Sequence, residues 1–397
     1  MRAAPFRASL LLLVLLWLAG ADLRLGMLAV PPVLPLIHHD LGLSEKAVGL
    51  LSGLPILMLG LAAIPGSALI ARVGARRAAI AGLVLVAATG AARGVGPSWP
   101  MLFGMTLLMG AGVAVIQPAL PTLVAEWFAG KGFASAVYAN GLLVGEALAA
   151  ALTLPFILPL VGGSWAASLA VWSLPVALTA AMIALFTPNQ GAREPATAPA
   201  RWWPDWRHPL TWQLGALMGG TGGLYFSVNA FIPDYLHATG RPELVAACLG
   251  ALNSAQLPAS FLVLFSVRRL TATRAAFIVM PLLAAAGLGG LLSNADWLIV
   301  LGIGVTGFFG AFVLILTLSL PPQLVPLHDV HRLSAGMFTV SYGLTCTIPL
   351  IGGAIWDATG IPATAFIIGA ASSALVAIAG LTLGRQPNRA PSPASAE

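Results

Sequence analysis

The chain has 397 residues, of which 58% are hydrophobic and 8% charged, against roughly 25% charged in a soluble domain. With a mean hydropathy of +0.93, this composition excludes a water-soluble globular core and indicates a polytopic membrane protein. The net charge of +6 would suit a nucleic acid only if the basic residues formed a patch, and their distribution sets them apart instead.

Apolar runs long enough to cross a bilayer, at about 20 residues each, fall at 9–37, 47–71, 78–95, 100–124, 134–158 and 165–187. After a polar break they resume at 210–236, 244–267, 275–292, 297–321, 333–355 and 361–384. The expected fold is an all-α membrane protein of twelve transmembrane helices in two pseudo-symmetric six-helix bundles. Its expected domains are 1–187, a linker over 188–208, and 209–397 with a short tail. The linker holds Arg193, Glu194, Arg201, Asp205 and Arg207, with an interfacial stretch at Trp202-Trp203 and Trp206. At the N-terminus, Arg2, Arg7, Leu10–Leu18 and Ala19-Gly20-Ala21 resemble a signal peptide. The apolar run resumes from Leu25 to Ile37, however, so the segment reads as a span.

Alternate loops carry the cations: Arg72, Arg76 and Arg77; Lys131; Arg193, Arg201 and Arg207; Arg268, Arg269 and Arg274; Arg332. Arg2, Arg7, Arg385 and Arg389 flank the two ends on the same side. The other side has Lys46, Arg93 and Arg241. By the positive-inside rule both termini are expected in the cytoplasm. The basic excess is thus a topology signal, and no nucleic-acid partner is expected.

Asp22-Leu23-Arg24 sets an acid and a base deep in the first span. A central Arg or Asp costs about 2.5–3.5 kcal/mol even on insertion scales, and such residues face a protein interior or a watery cavity. Arg24 keeps its proton and offers a fork of donors suited to carboxylate-like or small linear anions, which makes it the first candidate for substrate contact. Asp22, two residues away, points roughly 200° around the helix and does not easily pair with it. Glu146, midway along the fifth span, is the other deep acid. Two roles stay open for either carboxylate: counter-ion of Arg24 or proton carrier. Gln117 before Pro118, Tyr225 and Asn229 one helical turn apart, and Tyr342 are the further substrate candidates, with Asn253 and Gln256 beside them. Each could equally be a helix–helix hydrogen bond. The six histidines fall at helix ends or in loops, where a solvated role is expected. Cys248 and Cys346 lie far apart in apolar runs and read as packing residues.

Pro35, Gly42 and Glu45, where the first helix gives way to the second, recur at the same spacing as Pro233, Gly240 and Glu243. Two parallel six-helix repeats with a site between them are a transporter architecture that works by rocking one half against the other.

The loop Gly66-Ser67-Ala68-Leu69-Ile70-Ala71-Arg72-Val73-Gly74-Ala75-Arg76-Arg77 resembles the loop motif of the major facilitator superfamily. Arg72, Gly74, Arg76 and Arg77 match as a conformational loop, while Ala71 stands where the family has an Asp. The chain most resembles the cyanate-permease and 2-nitroimidazole-transporter group. Asp22-Leu23-Arg24 with Pro31, Pro32 and Pro35 is similar to that group's Asn-Leu-Arg and its proline-containing exit. Trp212-Gln213, Tyr225-Phe226 and Phe231-Ile232-Pro233 match its seventh helix. Gly352-Gly353, Trp356-Asp357 and Thr359-Gly360 match its eleventh. The resemblance implies that the first helix lines the central cavity, and that the chain acts as a monomer in the bilayer, with the cell inner membrane as the expected location.

The expected function is a secondary active transporter, symporter or antiporter, for a small anionic or polarised organic solute, with H+ as a possible coupling ion. The alternative is a multidrug or metabolite exporter of the same superfamily; Gly141-Leu142-Leu143-Val144-Gly145-Glu146 lacks the Gly-Pro pair expected of drug–proton antiporters. A membrane enzyme would need a nucleophile–base pair or metal cluster at depth, and neither pattern is present in the sequence, so no catalytic residue, cofactor or metal is expected.

Overall fold

The computed structural model describes residues 6–43, 45–95, 98–129, 132–188 and 201–383, and their regular structure is helical. Six helices come first: α1 (Phe6–Leu28, continued by Val30–Leu41), α2 (Glu45–Leu61 and Ala63–Val73), α3 (Ala75–Ala92), α4 (Trp99–Phe128), α5 (Gly132–Leu152 and its continuation to Leu160) and α6 (Trp165–Phe186). Six more follow: α7 (Pro209–Ala238), α8 (Val245–Ser254 and Gln256–Thr271), α9 (Arg274–Gly287, extended to Leu292), α10 (Asp296–Leu318), α11 (Val330–Thr359) and α12 (Ile367–Thr382). Ten of these spans are long and apolar enough to cross a membrane, and α2, bent by 53°, is an eleventh. The twelfth, α7, is 30 residues long and more polar, since it carries Gln213, Thr221, Tyr225 and Asn229.

The bends have local causes. Pro31 and Pro32 lack the N–H groups that would bond back across Ala29, so α1 breaks there and restarts with proline in its first turn. Pro65 does the same to the Leu61 carbonyl, at the bend of α2. In α5 a π-turn over Thr153–Ile157 takes up Pro155. The proline–glycine–glutamate repeat has a structural counterpart: Gly42 (φ +57°) and Gly240 (φ +74°) both turn the chain in the left-handed region just past α1 and α7, where a side chain would be strained.

Packing repeats as well. α1 lies most extensively against α5, and α7 against α11; α3 pairs with α4, and α9 with α10. Close approach comes from glycine: a Cβ at Gly141 or Gly145 of α5 would collide with the backbone of Trp17 or Ala21 in α1. In the second set, a Cβ at Gly219 would come within 2.9 Å of Ser341 Cα in α11.

One end of the bundle, here the basic face, holds Arg72, Arg76, Arg77, Arg268, Arg269 and Arg274, with the start of α1 and the end of α12. Residues 189–200 of the linker, Lys131 and the chain ends lie outside the described residues. Arg93 departs from expectation: it is 1% exposed, and its Nη2 donates to the Gly26 carbonyl of α1 at 2.8 Å, so it is an internal tie rather than a loop charge.

The buried apolar residues form three clusters. The largest draws on both sets of helices, joining Leu120, Leu123 and Tyr138 to Leu217, Leu316 and Phe338. The other two lie toward the opposite face and are separate: one is built only from the first set, including Ile37, Leu102 and Trp165; the other only from the second, including Ile232, Leu291 and Ile299. The two sets therefore share a core near the basic face and keep distinct cores near the other.

Hydrogen bonds between the sets concentrate on the same half. Tyr138 Oη donates to the Leu318 carbonyl at 3.0 Å, Asn140 Nδ2 to Ser260 Oγ at 2.8 Å, and Thr339 Oγ1 to the Gly60 carbonyl at 3.1 Å. At the basic face Ser67 Oγ lies 2.8 Å from both the Trp202 carbonyl and His331 Nδ1. A hydroxyl has one proton to give, so Ser67 donates to the carbonyl and accepts from the ring N–H. His331, expected in solvent, is 4% exposed and part of this clasp. Arg332 Nε adds a bond to the Trp203 carbonyl at 2.9 Å, so the end of the linker straps α2 to α11.

Candidate functional site

Where the shared core ends, α1, α5, α7, α8, α10 and α11 surround a cavity of about 60 Å³. One water needs roughly 10–15 Å³ by the same measure, so the space suits a solute of a few heavy atoms. Its walls are largely apolar, with Arg24, Glu146, Tyr225, Gln256, Tyr342 and Thr345 supplying polarity. A smaller pocket of about 10 Å³ lies beside it, shares Arg24 and Tyr342, and adds Gln117 and Tyr138.

Arg24 reaches this space because α1 is still regular there, four residues before Leu28 and the proline break. Its Nε is 3.9 Å from Glu146 Oε2, and the two side chains are 17% and 21% exposed. That separation gives charge attraction without a hydrogen bond. Among the described residues no protein acceptor is paired with the terminal nitrogens of Arg24, so its fork remains available on the cavity side. Tyr225 and Tyr342 line the same cavity as the guanidinium.

Glu146 continues into a network. Tyr225 Oη lies 3.0 Å from Glu146 Oε1 and 2.6 Å from Asn253 Oδ1. The phenol donates to one of them at a time. Gln256 Nε2 is 3.4 Å from the same Asn253 oxygen, and Asn253 Nδ2 is held by the Leu249 carbonyl at 2.8 Å. Opposite, Gln117 Nε2 donates to Tyr342 Oη at 2.6 Å, joining α4 to α11. A cation, an acid, two phenols and amides thus converge from both sets, an arrangement able to hold a small anion or dipole by charge-assisted hydrogen bonds.

The remaining candidates lie elsewhere. Asp22 is 1% exposed and lies toward α6, near Thr179, and its Oδ2 has no hydrogen-bond partner among the described residues; it does not line the cavity. Asn229 shares the Tyr225 helix but gives its amide to the Tyr225 carbonyl at 3.0 Å, and it too is absent from the wall. In the loop motif Gly74 makes the turn at φ +84°, and Arg76 ties it to α6 through Thr187 Oγ1 at 2.7 Å and the Ala184 carbonyl at 2.6 Å. Arg72 and Arg77 are exposed.

Several polar positions escape a reading of the sequence. Asn140 accepts from Trp17 Nε1 at 2.9 Å while donating to Ser260; an Asn inside the run Ala134–Gly141 is the visible signal. Ser67 and His331 are 264 residues apart, and no local pattern links them.

Among proteins of known type, the family model for the Major Facilitator Superfamily matches residues 16–325. The chain belongs to the major facilitator superfamily. Within this superfamily it is similar to the cyanate transport protein CynX of Escherichia coli (strain K12), 28% identical over 325 residues, which are 79% of this chain and 82% of that one. It is also similar to the 2-nitroimidazole transporter of the same organism, 26% identical over 372 residues, or 92% and 93% of the two chains. A superfamily structure, FucP in the outward conformation, superposes with a TM-score of 0.72 at 16% identity, covering 94% of this chain and 97% of that one. The twelve-helix superfamily fold, multi-pass and membrane-embedded, accounts for the two sets of helices and for a cavity at their seam.

Proposed function

We propose that the chain is a secondary active transporter of a small anionic or polarised organic solute, in the size range of cyanate, a short carboxylate or a nitroheterocycle. The observation that carries this is Arg24: an arginine in the middle of α1, with its terminal nitrogens facing a cavity of about 60 Å³. The substrates named for the two relatives, cyanate and 2-nitroimidazole, are small and polar, in keeping with that volume. A cavity of this size disfavours the exporter of bulky drugs.

The mechanism follows from the seam. The two six-helix sets, 1–187 and 209–397, rock against each other around the cavity. With the basic face in the cytoplasm, as the positive-inside rule places it, the shared core and the Ser67–His331 clasp close the cytoplasmic side, and the separate cores leave the outer side free to part. Solute entering from outside displaces Glu146 as the partner of Arg24. Glu146, or Asp22 on the α6 side of α1, then takes a proton, which couples transport to the proton gradient.

The test is a thermal-shift titration of the purified protein with cyanate, short carboxylates, amides and 2-nitroimidazole, on wild type and Arg24→Ala. At least one ligand should raise the melting temperature of wild type and leave Arg24→Ala unmoved. Equal stabilisation of both proteins by every effective ligand would remove Arg24 as the anchor. A charge-assisted hydrogen bond of about 1.5–3 kcal/mol corresponds to roughly a 10- to 150-fold loss in affinity.

A further inference from the structure

A second concavity lies outside the transport pathway. It runs along one face of α2, on Leu61, Ile64, Pro65, Ala68 and Leu69, and ends at Arg72; Trp202 and Trp203 of the linker form its other wall. Its volume is about 650 Å³, an order of magnitude larger than the central cavity. The α2 positions recur every three or four residues, so they form one stripe on the helix. Leu61 is 63% exposed and Trp203 53%. Nothing in the described protein covers this surface.

Its dimensions indicate what does. At 1.5 Å per residue, the 8-residue step from Ile64 to Arg72, in the half of α2 beyond its bend, is about 12 Å long, and Leu61 stands at the bend itself. That length fits within a single leaflet, half of a hydrocarbon core of about 30 Å. The stripe is apolar for its whole length and becomes cationic only at the end where headgroups lie. Tryptophan pairs favour that same level, between tails and water; here the two indoles meet edge to face with ring centroids 5.4 Å apart. Arg72 is exposed, has no acidic partner among the described residues, and is flanked by Ala71, Val73 and Gly74, so no carboxylate competes for it. Arg201, next to Trp202, adds to the positive potential.

We propose that this groove binds an anionic phospholipid, with one acyl chain along Leu61–Leu69, the glycerol region against Trp202 and Trp203, and the phosphate at Arg72. The lipid comes from the leaflet at the basic face, which the orientation proposed above makes the cytoplasmic one, where anionic headgroups are enriched. The site also touches the clasp. The Trp202 carbonyl that accepts from Ser67 belongs to the groove wall, and the Trp203 carbonyl is held by Arg332. A lipid seated there fills the angle between α2 and the strap, and thereby favours the state in which the basic face is shut.

Native mass spectrometry of the full chain tests the proposal, with phosphatidylglycerol and phosphatidylcholine of identical acyl chains offered at equal concentration. Wild type should retain one phosphatidylglycerol in about fivefold preference, the factor that one basic residue near an anionic surface contributes. Arg72→Gln should lose the preference, Arg72→Lys should keep it, and Arg77→Gln, equally exposed but outside the groove, should keep it too. A wild type without preference, or an Arg72→Gln protein that retains it, overturns the proposal. Phosphatidylglycerol with brominated acyl chains supplies a second readout: it should quench wild-type tryptophan fluorescence more than that of the Trp202→Phe/Trp203→Phe variant. Equal quenching would place the lipid elsewhere. Neither readout depends on which solute is carried.

Discussion

Arg24 and Asp22 stand two residues apart and end in different surroundings. The 200° between them sends Arg24 into the cavity and Asp22 against Thr179 of α6. That division was legible in the sequence, because charge in an apolar span must be accommodated and helical geometry separates neighbours at that spacing. Glu146 was legible for the same reason. Which acid faces Arg24 was not, since it depends on how α5 is rotated against α1. Asn229 shows the limit of spacing arguments: it lies on the Tyr225 face as expected, yet its amide is satisfied by its own helix. At this scale Glu146→Gln is the informative change. With Glu146 as proton carrier, solute uptake into vesicles loses its dependence on an imposed pH gradient while Arg24-dependent binding persists. Uptake that still follows the gradient in Glu146→Gln would clear Glu146 and leave Asp22→Asn as the variant to measure.

The helices were legible as twelve apolar runs, and the proline breaks explain why several are in two pieces. Packing was less so. Glycine richness in an apolar helix says that something comes close; it does not say what. In α5 the answer is the backbone of α1, met by Gly141 and Gly145 at positions where a Cβ has no room. Gly145→Val is expected to force α1 and α5 apart at the level of Ala21, one turn from Arg24. Overpacking of this kind costs about 1–3 kcal/mol, so the melting temperature should fall and solute binding weaken with it. Gly104 in α4 is the control, since a Cβ there meets nothing within 4 Å; Gly104→Ala should melt no lower than wild type. Were the two variants equally stable, the close approach of α1 and α5 would not matter to the fold.

Across the whole molecule, the sets of helices share one core and hold two others apart. The sequence forecast two sets through the Pro-Gly-Glu repeat and the polar break, but which end is closed depends on contacts between residues hundreds of positions apart. Ser67 and His331 are the clearest case. The loop motif lacks the acid its family carries, and a hydroxyl–imidazole–carbonyl chain joins α2, α11 and the linker in that region. Ser67→Ala removes two bonds at about 1 kcal/mol each, and each is worth about a fivefold change in population. Spin labels at Arg77 and Arg268, one on each set at the basic face, should then report a longer distance in a larger share of molecules by double electron–electron resonance. An unchanged distance distribution would show that the shared core alone keeps this face shut.

The Tyr225 hydroxyl has one proton and two acceptors within reach, Glu146 Oε1 and Asn253 Oδ1. Turned to Glu146 it leaves Asn253 to Gln256; turned to Asn253 it leaves the glutamate to Arg24 or to whatever enters. Under the transport cycle proposed above, a solute that takes the place of Glu146 at Arg24 alters the competition for that proton and so would reach Asn253 of α8 through one O–H bond. Occupancy of a space only a few atoms wide would in that way be felt on both halves of the molecule.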